Sequence, residues 1–244
     1  RFWTDPFEIN VSNEFHFFTP SDSVQDVTLF AKYTLRADEM FLNRMIGGTF
    51  EGSNDPDFRE KEVLYLINEK PKRLQTVVQS YSSKSYRYVR YIGPKDSHCN
   101  IAEAAFYTPN DTASLKGKVI GTPGCFQKDG SHEYTNVFDG DVTTSFDYIE
   151  SSGGWSGLDL GTPKQIGKIV YTPRNYDNYV CHGDDYELFY CSQDKWKSLG
   201  KQTSYADSLV YKNVPINVLL LLKNHDRGIQ ERIFTYQERS QVWK

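Results

Sequence analysis

Short hydrophobic runs, each closed off by Gly, Pro, Asn or Asp, recur along this chain at intervals of roughly 10–20 residues. The clearest occupy residues 157–160, 166–171, 185–190, 209–211, 218–222 and 232–236. Pieces this short are strand-sized, since strands average about 5–6 residues. Their spacing predicts an all-β sandwich or barrel. The residue supply agrees: 17 Tyr, 15 Phe and 4 Trp stand against 2 Met, and aromatic side chains suit half-buried pleated surfaces. The run Val218-Leu219-Leu220-Leu221-Leu222 does not alternate, which marks a strand covered on both faces. Helical periodicity is confined to residues 37–45 and 57–66, and neither stretch is capped at both ends.

Charge and hydropathy remove several function classes. The net charge is −4, and Lys and Arg are interspersed with Asp and Glu, so no basic face suited to nucleic acid is expected. No apolar run approaches the roughly 18 residues of a membrane-spanning helix, and no membrane insertion is expected. The chain opens at Arg1 without an apolar leader, as a mature product or an excised piece of a longer protein would. Four cysteines, Cys99, Cys125, Cys181 and Cys191, contain no C-x-x-C pair. Their number and spacing suit neither a disulfide scaffold nor a zinc site. A Cys181–Cys191 bridge and four unpaired thiols both remain open.

A weak internal repeat organises the length. Tyr86-Arg87-Tyr88-Val89-Arg90-Tyr91-Ile92 is followed, past a loop with His98, by Ile101-Ala102-Glu103-Ala104-Ala105-Phe106-Tyr107. Val218–Leu222 is followed, past a loop with His225, by Ile229-Gln230-Glu231-Arg232-Ile233-Phe234. Two modules of one ancestry are expected, 1–110 and 111–244, joined at the Pro/Asn/Asp/Ser-rich stretch 108–115. Residues 1–36 supply degenerate early strands or the tail of a preceding domain.

The second half carries Asn136-Val137-Phe138-Asp139-Gly140-Asp141-Val142-Thr143-Thr144-Ser145-Phe146, then Gly154-Trp155-Ser156-Gly157-Leu158-Asp159-Leu160-Gly161. Residues 166–171 with Pro173-Arg174, the run Asp185-Tyr186-Glu187-Leu188-Phe189-Tyr190 and a closing stretch 231–236 complete the set. In order and spacing, residues 117–236 resemble the discoidin, or coagulation factor 5/8 type C, domain, whose superfamily includes the family 32 carbohydrate-binding modules. The first half resembles only the later part of such a domain and lacks both signatures. The resemblance implies two antiparallel jelly-roll-like, galactose-binding-like β-sandwich modules, the first degenerate, with a binding surface formed by loops at one end.

No catalytic constellation emerges. His132-Glu133 lacks a second zincin histidine, because Asn136 stands four residues on. Gly154-Trp155-Ser156-Gly157 is not a nucleophile elbow, because Leu158 occupies the last position. The acidic segment 139–150 offers hard oxygen ligands at alternating positions, as Ca²⁺ requires, but Thr144 stands where an EF-hand loop needs Gly. The resemblance implies a structural Ca²⁺ held by the Phe138 carbonyl, Asp139 or Asp141, Thr144 and Glu231; an Asx turn in which Asp139 caps the Gly140 backbone is the metal-free alternative. Sugar recognition needs aromatic faces for pyranose C–H groups and planar polar groups for hydroxyls. Arg174, Asn175, Tyr176 and Asp177 supply that mixture in one loop. Tyr148, Trp155, His225 and Arg227 are further candidates. Trp155 equally suits sheet packing, and Arg174 equally suits an ion pair with Asp159.

The chain is thus expected to be a non-catalytic, glycan-binding region, of galactose type by resemblance, within a larger extracellular, periplasmic or surface protein that carries a catalytic domain elsewhere. A structural or protein-interaction scaffold is the alternative. Fold alone does not choose between them.

Overall fold

The computed structural model describes residues 5–34, 36–227 and 231–244. In chain order its elements are β1 (Phe7–Ile9), β2 (Phe15–Phe17), β3 (Val24–Leu29), α1 (Arg36–Arg44), β4 (Thr49–Ser53), β5 (Lys61–Leu66), β6 (Thr76–Gln79), β7 (Ser85–Ile92), β8 (Ile101–Tyr107) and β9 (Lys118–Gly121). A 3-10 helix (Tyr134–Phe138) follows. Then come β10 (Trp155–Gln165), β11 (Lys168–Pro173), β12 (Asp185–Ser192), β13 (Lys195–Thr203), β14 (Leu209–Pro215), β15 (Leu220–Asn224), β16 (Ile233–Gln237) and β17 (Ser240–Trp243). With 45% strand and 5% helix, the chain is all-β and antiparallel, as the spacing of its short runs predicts.

Two compact units divide the chain, but not near residue 110. One is continuous, 35–177; the other is split between 1–34 and 178–244. The stretch 108–115, expected as a linker, lies inside the continuous unit. Strands on either side of it pair directly: β10 lies between β7 and β9, and β11 lies between β6 and β8. Residues 117–236, which carry the family resemblance, are therefore shared between the units.

In the continuous unit a five-stranded sheet, β5-β4-β7-β10-β9, faces a three-stranded one, β6-β11-β8. Strand alternation explains the layer between them. Phe50 from β4, Val89 and Tyr91 from β7 and Leu158 from β10 meet Ala104 and Phe106 from β8 and Ile169 and Tyr171 from β11. Phe50 touches three rings, those of Tyr91, Phe106 and Tyr171, at 5.1–6.0 Å. Each such side chain contributes about 1.5–3 kcal/mol by leaving water.

In the split unit, β3 pairs with β14, Leu29 opposite Leu209 and Val24 opposite Pro215. Their inner side chains Val27, Leu29, Leu209, Tyr211 and Val214 pack on Tyr186, Leu188, Leu220, Leu222 and Phe234 from the sheet β13-β12-β15-β16-β17. The segment expected as degenerate strands or a foreign tail thus completes the core of the C-terminal residues. The β1–β2 hairpin, turned by Asn10 through bonds from the Ser12 and Glu14 amides (both 2.9 Å), leaves Phe7, Ile9, Phe15 and Phe17 exposed.

Two further expectations change. Residues 57–66 form a turn and β5 rather than a helix. Val63, Leu64 and Tyr65 there favour a pleated surface, and Asp55 closes the preceding turn through the Asp57 and Arg59 amides. The two repeat copies also differ in role: β7 and β8 belong to opposite sheets, whereas β15 and β16 pair with each other. Gly228, Ile229 and Gln230 of the second copy lie outside the described residues.

We predict that residues 35–177 expressed alone unfold in one cooperative transition. Residues 178–244 alone, lacking β3, should show no protected amides in β14. Hydrogen exchange on the two fragments checks both outcomes; a protected β14 in the short fragment would contradict the split core.

Candidate functional site

Four connections of the continuous unit are bonded to one another at one end of its sandwich. They are the β7–β8 loop, the segment after β9, the segment before β10 and the residues that follow β11. The Tyr148 amide donates to the His98 carbonyl at 2.7 Å and the His98 amide to Ser151 at 3.0 Å. The Phe126 amide donates to Asp147 at 2.8 Å and the Arg174 amide to Asn100 at 3.3 Å. Loops over a rigid sandwich are where binding residues are expected.

The β7–β8 loop is held in an uncommon conformation. Asp96, His98, Cys99 and Asn100 all have positive φ, at 60°, 57°, 68° and 25°, a region that L-residues with side chains occupy at a cost of about 1–2 kcal/mol each. Side-chain bonds impose it. Ser97 Oγ donates to Pro94 (2.6 Å) and accepts from the Cys99 amide (3.2 Å). Asn100 Nδ2 donates to Ser97 O (2.5 Å) and Asp147 Oδ1 (3.2 Å). Strain of this kind concentrates at functional sites.

Beneath the loop lies a buried ion pair. Arg174 Nη1 donates to Asp147 Oδ2 and, at 3.4 Å, to Asn100 Oδ1. Its guanidinium sits 4.5 Å from the centre of the Phe41 ring, on α1. The Arg174 side chain is only 14% exposed. Its partner is Asp147, because Asp159 is taken by Arg87 at 2.8 and 2.9 Å. Asn175 is likewise committed, donating to Val142 O (2.8 Å) and accepting from the Asp177 amide (2.9 Å). Arg174 and Asn175, expected to meet a ligand, here brace the loops.

Tyr176 is different: it leans on Phe41 with centroids 5.4 Å apart and stays 44% exposed. Asp177 follows it in the left-handed region, at φ 59°. Tyr148 is half-buried against Phe146, its carbonyl bonded to His98 Nδ1 at 2.9 Å. That bond requires a proton on Nδ1 in the neutral ring, leaving Nε2 an acceptor. Phe126, 57% exposed, sets its ring edge-on to His98 at 5.5 Å. Phe126, His98, Asp147 and Phe41 were not among the expected residues. The 94–100 loop carried a visible turn composition, but nothing in its spacing announced the bonds that shape it.

The other expected residues lie elsewhere. Trp155 packs on the outer face of the five-stranded sheet beside Phe58 (5.7 Å) and the Arg90 guanidinium (5.2 Å), which is bound to buried Glu51 at 2.7 Å. His225, Arg227 and Glu231 belong to the split unit. His225 Nε2 lies 3.0 Å from Glu187, and Arg227 grips Asp184 at 2.9 and 3.1 Å.

Around 139–144 Asp139 and Asp141 each close a local turn, but the Gly140 amide itself donates to Glu103 and not to Asp139. Asp139 Oδ1 accepts from the Asp141 amide (2.8 Å) and Oδ2 from Thr144 Oγ1 (2.8 Å). Asp141 Oδ1 accepts from the amide and hydroxyl of Thr143. The acid brought to this loop within its unit is Glu103 of β8, which accepts from the Gly140 amide at 2.9 Å. Burial first, then a hydrogen bond with Asp139, pushes the Glu103 carboxyl up to about 8. Among the described residues, no three His, Cys, Asp or Glu side chains form a group that could hold a metal ion, and all four cysteines are free and buried.

No family model, curated protein or solved structure matches this chain.

Two outcomes are expected. Replacing Arg174 by Ala leaves Asp147 buried and unpaired, and should cost about 3 kcal/mol of stability by urea unfolding; an unchanged midpoint would remove its bracing role. For Glu103, folding raises the pKa from an ordinary 4.5 to about 8. Its stabilising contribution is complete below about pH 4.5 and is lost as pH rises to about 8, because the unfolded chain ionises first. Unfolding curves in chelator at pH 5 and pH 8 should show a smaller loss for Glu103→Gln than for the unaltered chain.

Proposed function

We propose that residues 35–177 form a non-catalytic glycan-binding module of a larger secreted or surface protein. One observation carries this reading: the loop end exposes two aromatic rings, Phe126 and Tyr176, over a braced polar floor. A pyranose lays its C–H face on such a ring, while His98 Nε2 and the polar groups of Asp177 meet its hydroxyls. The rings are pre-positioned, Phe126 by its edge-on contact with His98 and Tyr176 by its packing on Phe41, so little conformational freedom is lost on binding. A shallow surface buries little area. Affinity should therefore be weak, with Kd on the order of 10⁻⁵ to 10⁻³ M, or about 4–7 kcal/mol. Galactose-type sugars are the first ligands to try, on the resemblance of 117–236 to galactose-binding-like modules, of which 117–177 lie in this unit.

Calcium enters this reading as a structural ion on the 138–144 loop. Its oxygen donors would be the Phe138 carbonyl, Asp139 or Asp141, and Thr144, with Glu103 in the position first given to Glu231. The fit rests on the Gly140 amide, which holds Glu103 against the loop that carries Asp139 and so gathers hard oxygen donors there.

A second reading is a scaffold that supports a catalytic domain or a protein partner. The exposed hairpin face of Phe7, Ile9, Phe15 and Phe17 favours it, since contiguous apolar surface marks interaction sites.

A glycan array with and without calcium, followed by titration of Phe126→Ala and Tyr176→Ala, tests the first reading. Each variant should weaken binding at least tenfold while its melting temperature stays within about 2 °C, as for an exposed side chain. Calcium should raise the melting temperature by mass action. Failure of every glycan to bind leaves the scaffold reading in its place.

A further inference from the structure

The β1–β2 hairpin of the split unit turns its apolar face to water and anchors its polar face to the protein. Its register pairs Phe7 with Phe17, Ile9 with Phe15 and Glu8 with His16. Strand alternation therefore puts the four apolar residues on one face and Glu8 and His16 on the other. Lys244 Nζ holds Glu8 at 2.7 Å, and the Lys244 amide donates to Ile233 of β16 at 3.0 Å. The His16 ring meets buried Phe18 edge-on at 5.0 Å. On the opposite face Phe7, Ile9, Phe15 and Phe17 stay 45–58% exposed. A slip of one residue would reverse the two faces, and the Asn10 turn, with its bonds from the Ser12 and Glu14 amides, prevents it. The fold thus keeps four large apolar side chains in water when the alternative register would hide them.

Area and composition select the occupant. The phenyl rings form one cluster, with Phe7 at 5.2 Å from Phe15 and 5.5 Å from Phe17. Half-exposed side chains of this size leave about 100 Å² each in water, or about 400 Å² for the face. Homodimer interfaces are about 65% apolar, so an apolar centre of that area belongs to a contact of about 600 Å² per copy. Two copies then bury about 1,200 Å², which reaches the lower bound of a specific interface. The face is aromatic and uncharged, as the centres of such interfaces are, and it meets its own image without electrostatic repulsion. Charged groups are what select a foreign protein, and these four side chains supply none. A two-fold contact of this kind also closes after two copies.

We propose that the chain forms a two-fold dimer in which the Phe7, Ile9, Phe15 and Phe17 face of one copy packs on the same face of a second. The two ribbons lie about 10 Å apart, as stacked sheets do, and the rings of each copy leave water against those of the other. The pairing rests on the scaffold reading of this face, with a second copy as the partner, and involves none of the loop-end residues.

Sedimentation equilibrium of the full chain, from micromolar to submillimolar concentration, tests the pairing. A monomer–dimer equilibrium is expected with Kd on the order of 10⁻⁵ M, as for an interface at the small end of its class. The amides of residues 7–9 and 15–17 should shift with concentration, a readout that needs no variant. Phe15→Asp sets a charge against its own image and should weaken the dimer at least tenfold. In dilute solution its melting temperature should stay within about 2 °C, as for an exposed side chain. Val77→Asp, which replaces an apolar residue 59% exposed in the other unit, should leave the dimer unchanged. A chain that stays monomeric at submillimolar concentration overturns the pairing and leaves the scaffold reading a foreign partner. A monomer that binds phosphatidylcholine vesicles gives the face to lipid instead. A dimer whose shifts fall outside β1 and β2, or that Val77→Asp weakens as much as Phe15→Asp, overturns the hairpin as its seat.

Discussion

Trp155–Asp159 of β10 run antiparallel to Tyr88–Ile92 of β7, and on its other side the same strand pairs with Lys118–Gly121 of β9. Once β10 enters between strands that precede and follow residue 110, that position cannot divide two modules. The next strand, β11, then has to return across the core, where it joins β6 and β8. The facing sheets, the Phe50 ring cluster and the positions of all four loops follow from that insertion. Glycine at 157 helps to permit it, because a Cβ there would lie 2.2 Å from the Val89 carbonyl oxygen.

Strands were legible because their signals are local. A run of apolar residues stopped by Gly or Pro needs no partner to be recognised, and β10 to β12, β14 and β15 fall on or beside such runs. Residues 37–45 anticipate α1 within one residue at each end. Pairing is not local. β3 and β14 lie about three quarters of the chain apart, and nothing in Val24–Leu29 names its partner. A chain in which one unit is inserted into another therefore looks like two units in series.

The site was legible in composition but not in role. Arg174 and Asn175 sit in a loop with the side chains a sugar would want, yet both are spent on Asp147, Asn100 and Val142. A sequence gives the chemistry of a group but not whether a neighbour has already claimed it. Phe126 was missed for the opposite reason: in Phe126-Gln127-Lys128-Asp129-Gly130 it is one aromatic in a polar turn, and only the structure shows its edge-on contact with His98. Glu103 was visible as the acid of an Ile-x-Glu return, but the repeat did not show that β8 carries it to the Gly140 amide, whereas Glu231 belongs to the split unit.

Two costs carried by the continuous unit then make sense together. Four left-handed residues in one loop and a buried ion pair are each poor ways to gain stability, since strain and desolvation offset what the contacts return. Hydrophobic side chains could have closed this end of the sandwich more cheaply. What the polar bracing supplies instead is a fixed geometry: Asp147 accepts from Asn100 and Arg174 at once, so the β7–β8 loop, the segment before β10 and the end of β11 cannot shift separately. His98, shaped by that loop and bonded to the Tyr148 carbonyl, meets the Phe126 ring edge-on, while Arg174 stacks on Phe41, which supports Tyr176. The two exposed rings are thus tied to the same buried acid by different routes. Rigid presentation of exposed aromatics has little value for a fold alone and considerable value for weak binding, where each flexible side chain that must be ordered costs about 0.5–1.5 kcal/mol of a small total.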